Sequence, residues 1–443
     1  MARQTDSIAS HQVSLLVSIM AVSNILVVAG ALPPETEQNT VASPSENDVD
    51  EFNKPRLRRD IILSSLRSRA EGDATVNFTA VPKDGGFTSL VDLYSCVHDA
   101  SLINFLTSAW EKWERMSLDG QLDRDNIHPS YRLDSTDESV VPPLVSCHSA
   151  FRSEEFERPG ANVMGQIGYY CTDQITPIVD SLVEELREDA LVVCSAVTHA
   201  MHDAELVAYA VTTHPGHHTN RTMFGGYCYL NNAAMAARLM QEQARSGRSI
   251  VCRDEGRLDQ DFWTTQAEDG SPSQVCESRV AILDIDYHCG NGTASIFYSD
   301  PTVLFISIHC DPNIEYPWNS GYKDQTGTGE GTGKTVHIPL PAGTAWKEYK
   351  VALSTAMEAV VDFDPIGFVV SLGLDTHAGD AVAVNRGGFK LQGQDYLEMG
   401  RHIGNYFTGN RIPTVFVQEG GYKMDAVGEA AANVVLGCSQ SRR

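Results

Sequence analysis

Three residues near the middle of the chain, Asp284, Asp286 and His288, stand two apart in the run AILDIDYHCGNG. Along an extended segment that spacing puts all three side chains on one face. Two carboxylates and an imidazole crowded there repel and lose hydration unless a cation sits among them. Oxygen and nitrogen ligands of this kind suit Zn²⁺, whose catalytic sites take three protein ligands and keep one position open for water. Asp375, in GLDTHAGD, is the natural candidate for a further carboxylate. Water on such an ion has a lowered pKa and becomes a nucleophile. The pair His217-His218 in HPGHH offers a general base near neutral pH. Tyr422 follows two glycines in QEGGY, which let a loop bring its phenol close enough to stabilise an oxyanion. A lone D-x-D-x-H also arises by chance. Joined to the other residues, it is machinery for hydrolysing an amide.

The elements that must position these residues can be read around them. Short apolar runs rich in β-branched residues occupy 206–212, 279–286, 302–308, 366–373 and 413–418. Helical periodicity marks 56–69, 97–115, 172–204, 231–245 and 346–360. Continuous apolar strands alternating with helices predict a parallel sheet covered on both faces. HPGHH, DIDYHCGNG, HCDP, DTHAGD and EGGY each follow one of the runs directly. Ligands of open parallel α/β sheets bind beyond the carboxyl ends of the strands. Five distant segments are therefore expected to converge on one site.

Composition bounds the partners. With 58 acidic and 33 basic residues among 443, the net charge is -25, which argues against nucleic acid and favours cationic ligands. Much of that charge serves solubility equally well. The ten cysteines form no C-x-x-C pair, so a cysteine zinc knuckle is not indicated. Cys252 and Cys276 flank a polar insert, 247–277, and could bridge in an oxidising compartment. Residues 1–32 have the features of a signal peptide or membrane anchor, with an apolar run at 13–30 and small residues to Ala31. The other reading makes Ile25–Ala29 the first strand of the sheet. Secretion or membrane attachment follows from the first, a cytoplasmic location from the second. A polar linker is expected over 33–50, a catalytic domain over 51–443, and a long loop over 117–165.

HPGHH, FGGYCYLNNAA, ILDIDYHCGNGT, VVSLGLDTHAGD and QEGGY resemble, in order, the motifs of histone deacetylases and acetylpolyamine amidohydrolases. The likeness runs from about residue 52 to the C-terminus. VHDASLINFLTSAWEKW, GQIGYYC and GYKDQTGTGEGTG are closer to the polyamine branch. The resemblance implies an arginase-like three-layer α/β/α fold with a mainly parallel sheet. It implies one zinc on Asp286, His288 and Asp375, with His218 as general base and His217 as its electrostatic partner. Tyr422 would polarise the substrate carbonyl, Asp284 would orient His217, and Asn291 would partner His218 and leave it less basic than an Asp would. A structural K⁺ is implied beneath the zinc, near Asp284 and the Ser307 hydroxyl. Gly226, Tyr227 and Tyr316 match positions that line the substrate channel. The substrate would be a small cationic acetylated amine or acetyl-lysine. The segment 117–175 would carry a homodimer contact.

The chain departs from the family at several points. Cys289 stands where a second His is usual, and a packing change is expected from it. His214 replaces a Pro and is expected to alter the channel rim. Met164 and Ile175 stand around GQIGYYC, with only Asp173 as a nearby acid, which puts polyamine preference in doubt. Two other readings are weighed: a binuclear manganese ureohydrolase, which needs further bridging ligands, and an inactive acetyl-amine binding or scaffold protein, which should have lost a ligand, base or tyrosine.

Overall fold

The computed structural model describes residues 25–30, 55–70, 76–81, 89–118, 158–173, 175–176, 178–247, 251–252, 257–258, 278–383, 386–408 and 411–442. Eight strands form one sheet: β1 (Ile25–Ala29), β2 (Val76–Ala80), β3 (Val207–Ala210), β6 (Val280–Asp284), β7 (Val303–Cys310), β8 (Thr335–Leu340), β9 (Gly367–Leu372) and β10 (Thr414–Gln418). β4 (Val251–Cys252) and β5 (Arg257–Leu258) make a small antiparallel ribbon within the expected insert. The large sheet runs β2-β1-β3-β10-β9-β6-β7-β8, with every neighbouring pair parallel.

Side chains alternate between two cores. Leu26 and Val28 of β1 join one, with the helices Ala100–Leu118, Leu182–His202 and Asn232–Ser246. Ile25, Val27 and Ala29 join the other, with Pro55–Ala70, Trp346–Phe363, Gly393–Asn405 and Val427–Ser441. Apolar groups on both faces are why these strands read as continuous runs. The expected three-layer α/β/α arrangement is present, and the five strands and five helices read from periodicity fall within a few residues of their expected places, except that the helix expected to start at 172 starts at Leu182.

Ile25–Ala29 is a strand. It lies between β2 and β3 with every residue buried, Ile25 in register with Val76 and Val207. Cleavage after Ala31 and this strand exclude one another, and the sheet extends the catalytic domain upstream of residue 51. No helix among the described residues is long and apolar enough to cross a membrane. The segment 163–165, expected within a loop, opens the helix Val163–Tyr170. Residues 117 and 118, expected in the same loop, end the helix Ala100–Leu118; residues 119–157, the linker 33–50, most of the insert and the Cys252–Cys276 pairing lie outside the described residues. So does most of the segment expected to carry a dimer contact.

Burying Ile25, Leu26, Val27 and Val28 contributes about 1.5–3 kcal/mol per side chain, comparable in sum with the ~5–15 kcal/mol net stability of a folded domain. Truncation after Ala31 should therefore give insoluble protein or one without a cooperative melting transition. A truncated chain that melts at the full-length temperature would show that β1 is dispensable.

Candidate active site

The central strands β3, β10, β9 and β6 present HPGHH, EGGY, DTH and DIDYH from adjacent carboxyl ends. Asp286, His288 and Asp375 come together there, with one ligand atom from each within 4.8 Å of the others. His288 Nδ1 is 3.0 Å from Asp375 Oδ2 and 3.3 Å from Asp286 Oδ1. Both carboxylates are fully buried. Burial, then the Asp286 charge, pushes the Asp375 carboxyl up to about 7. A divalent cation among the three would remove that conflict. Two carboxylates and one imidazole fit zinc without further ligands.

Backbone donors fix the same groups. Asp286 Oδ2 accepts from Gly420 N–H at 2.9 Å, and Asp375 Oδ1 from Tyr287 N–H at 2.8 Å. A Cβ on Gly420 would lie 2.6 Å from Asp286 Oδ2 and 2.7 Å from Asp375 Oδ2, so only glycine lets this loop reach the carboxylates. Asp380 Oδ2 then accepts from Tyr422 and Lys423 N–H at 2.7 and 2.9 Å, and sets the tyrosine in place. The Tyr422 phenol is raised by burial, so it is a neutral donor.

The histidine pair is held from two sides. His217 Nδ1 donates to Asp284 Oδ2 at 2.9 Å. His218 Nδ1 donates to Asn291 Oδ1 at 2.7 Å, which leaves Nε2 to carry the lone pair when the ring is neutral. The two rings lie 4.0 Å apart. Burial alone would lower His217, but the Asp286 and Asp284 carboxylates overcome it and lift the ring to about 10. His218 is driven well below its ordinary value by burial, then by the charge on His217. One imidazolium therefore stands beside one neutral imidazole. Glu419, which the sequence reading passed over, accepts from Gly216 and His217 N–H at 2.6 and 3.1 Å and from the Ser371 hydroxyl at 2.9 Å.

These groups open into a cavity of about 350 Å³ lined by His217, His218, Gly226, Tyr227, Asp286, His288, Tyr316, Asp375 and Tyr422. The Tyr316 ring stands 4.9 Å from His218, edge to face. Gly226 has φ +62°, and a Cβ there would meet His218 Cδ2 at 2.4 Å. Asn291, Asp284 and Ser307 support the site from outside the cavity lining, and Ser307 faces Asp284 across β6 and β7.

The mouth holds residues the sequence did not flag. Glu315, Trp318 and Arg386 line it, with Arg386 Nη1 2.5 Å from Glu315 Oε1 and the guanidinium 5.3 Å over the Trp318 ring. Asp173 is also there, but its carboxylate already accepts from the Ile175, Thr176 and Gly226 N–H groups and the Thr176 hydroxyl. His214 is not a rim residue. It lies buried between Glu185 and Asp189, at 3.1 and 3.3 Å, on a separate cavity of about 420 Å³ behind Tyr227 and Tyr422.

The histone deacetylase domain profile matches residues 71–252 and 272–438. The chain belongs to that family. Over 386 residues it is 33% identical to acetylpolyamine amidohydrolase 1 of Pseudomonas aeruginosa, covering 87% of this chain and 91% of that protein. To the acetylpolyamine amidohydrolase of Mycoplana ramosa it is 31% identical over 372 residues, 81% and 88% of the two chains. The crystal structure of acetylpolyamine aminohydrolase from Burkholderia pseudomallei superposes with a TM-score of 0.66 at 23% identity, covering 95% of this chain and 100% of that one. That likeness is one of fold, and it makes the α/β/α sandwich arginase-like. Such family membership supports a deacetylase.

In metal-free protein, the His218 ring should titrate below 6.5 and that of His217 well above it, read by NMR of the ring nitrogens. Asn291→Asp places a carboxylate on His218 and should raise its pKa by about one to three units. A His218 that titrates at or above 6.5 in the unsubstituted protein would refute this polarisation.

Proposed function

We propose that the protein is a zinc-dependent amidohydrolase that removes acetyl groups from acetylated amines, either acetylpolyamines or acetyl-lysine. The observation that carries the reading is the convergence of a D/H/D ligand set, a polarised histidine pair and a neutral tyrosine on one cavity. Asp286, His288 and Asp375 would hold the ion, which supplies Lewis acidity toward water and the amide carbonyl. His218 Nε2 takes a proton from the water as its oxygen adds to the acetyl carbon. The Tyr422 hydroxyl donates to the carbonyl oxygen while it gains charge. His217, kept cationic by Asp286 and Asp284, offsets negative charge developing beside it. His218 then returns its proton to the amine nitrogen as the C–N bond breaks, and acetate and free amine result. Asp284 and Ser307, facing one another across β6 and β7, would hold a structural K⁺ beneath.

Retention of every ligand, the base and the tyrosine speaks against an inactive binding protein. A ureohydrolase reading would need further bridging ligands beside the D/H/D set. For the substrate's distal end, Glu315 is the group of interest. Its carboxylate is buried, and Oε2 has no hydrogen-bond partner although Oε1 is paired with Arg386. Oε2 is out of solvent contact, so an ammonium on a short acetylated diamine would meet it once the Arg386 pair opens, whereas the Asp173 oxygens are already taken by hydrogen bonds. The relatives' printed names, acetylpolyamine amidohydrolase, point the same way.

Zinc-loaded protein should hydrolyse acetylputrescine, N8-acetylspermidine or an acetyl-lysine peptide, and lose that activity to a chelator. Tyr422→Phe should lower kcat about 10²–10³-fold, and His218→Ala about 10²–10⁴-fold. No turnover on any of the three substrates at full zinc occupancy would overturn the reading. Because His218 acts in its neutral form, Asn291→Asp should move the acid limb of the kcat/KM profile to higher pH. Glu315→Gln should raise KM for acetylputrescine several-fold more than for the peptide. Equal effects on both would remove Glu315 from substrate selection.

A further inference from the structure

A different set of metal-type donors lies at the same carboxyl ends, displaced along the sheet toward the edge strand β8. Ser307 and His309 stand two apart on β7 and share a face, and His337 on β8 is in register with Ser307. Cys289 reaches the same place from the turn that follows β6. One ligand atom each from Cys289, His309 and His337 lies within 4.8 Å of the other two, and all three residues are buried. Cys289 Sγ is 3.6 Å from His337 Nδ1. Metal bonds of about 2.3 Å to sulfur and 2.0–2.1 Å to nitrogen put tetrahedral S and N ligands about 3.5 Å apart. The existing pair already has that spacing.

The rest of the environment suits ligands better than it suits packing. His309 Nε2 donates to the Gly321 carbonyl at 2.9 Å, which fixes the tautomer and makes Nδ1 the nitrogen with the lone pair. An imidazole anchored through its second nitrogen to a backbone carbonyl is the arrangement metal-bound histidines use. The Ser307 hydroxyl donates to Nδ1 at 2.9 Å, and a change of the Ser307 χ1 rotamer, which carries Oγ away from the ring, is needed to release that lone pair. The loop covers the group closely: at Gly321, φ +104°, a Cβ would lie 2.6 Å from His309 Nε2 and 3.1 Å from Cys289 Sγ. His337 sits on β8, the edge strand of the sheet.

We propose that Cys289, His309 and His337 form a second metal site, taking a borderline-soft divalent cation of the Zn²⁺ type. Sulfur with two imidazoles, and no carboxylate, selects such an ion over Mg²⁺ or Ca²⁺. As the S–metal bond forms, the Cys289 S–H proton passes to solvent, and water takes the fourth position. The ion would tie together the end of β6, β7 and the edge strand β8. This site shares no ligand with the Asp286–His288–Asp375 set, although Cys289 directly follows His288.

The test is metal content and an optical signature of full-length protein. Equilibrated with Zn²⁺ and freed of excess, the protein should retain two zinc ions, and Cys289→Ser or His337→Asn should retain one. Loaded with Co²⁺, it should show a thiolate-to-cobalt charge-transfer band in the near ultraviolet, which the sulfur-free Asp286–His288–Asp375 set cannot give. That band should vanish in Cys289→Ser and persist in Cys228→Ser, which removes the buried thiol near His217 and Glu419. His337→Asn reads the same site should Cys289→Ser fail to fold. A single zinc with no thiolate band, or a band that survives Cys289→Ser, would overturn the proposal.

Discussion

Asp284, Asp286, Asp375 and Glu419 are fully buried at the carboxyl ends of β6, β9 and β10, and the surrounding structure answers their charge. Each accepts at least one backbone N–H, from Asp286, His288, Gly420, Tyr287, Gly216 or His217. Those donors come from the very loops that carry the reactive side chains. The carboxylates therefore shape the turns as well as the electrostatics. They also make His217 a cation, and that cation in turn keeps His218 neutral. Remove the acids and neither the loop geometry nor the polarisation of the pair has a source. Isolated buried carboxylates are costly, and here a charged imidazole and backbone dipoles share the compensation.

Access to this centre is set by different means. Tyr227, Tyr316 and Tyr422 line the cavity with aromatic rings. At the mouth the acids are not equivalent. Asp173 spends its oxygens on the backbone of the Gly226 turn, whereas Glu315 keeps one back. Charge counted along the sequence would treat the two as the same.

Much of this was legible before any coordinates. β3, β6, β7, β9 and β10 stand in the interior of the sheet, where both faces must be apolar, and they read as continuous β-branched runs. β2 and β8 did not. They are edge strands, with exposed Asn77 and Ala80 in one and Pro339 in the other, so their pattern is diluted. β1 was ambiguous because a buried central strand and the apolar part of a leader have the same composition. The ligands, the histidine pair and the tyrosine were visible because His217, His218, Asp286, His288, Asp375 and Tyr422 each come soon after a strand end. Glu419 and Asp380 sit in the same motifs, yet their work is to accept hydrogen bonds from distant backbone, which no local spacing announces. Glu315 and Arg386, 71 positions apart, meet only in space.

The placement of β10 has a consequence for how the chain folds. It lies between β3 and β9, so without it the sheet falls into two sections, β2-β1-β3 and β9-β6-β7-β8. On a ribosome, the segment Thr414–Gln418 is the last of the eight strands to emerge. Both sections must wait with an apolar edge unpaired, and such long-range parallel pairing is slow and exposed to aggregation. Tyr422 and Glu419 arrive with that same strand. The nascent polypeptide thus stays chemically silent until the two sections are joined, and closing the sheet and completing the reactive centre become one late event.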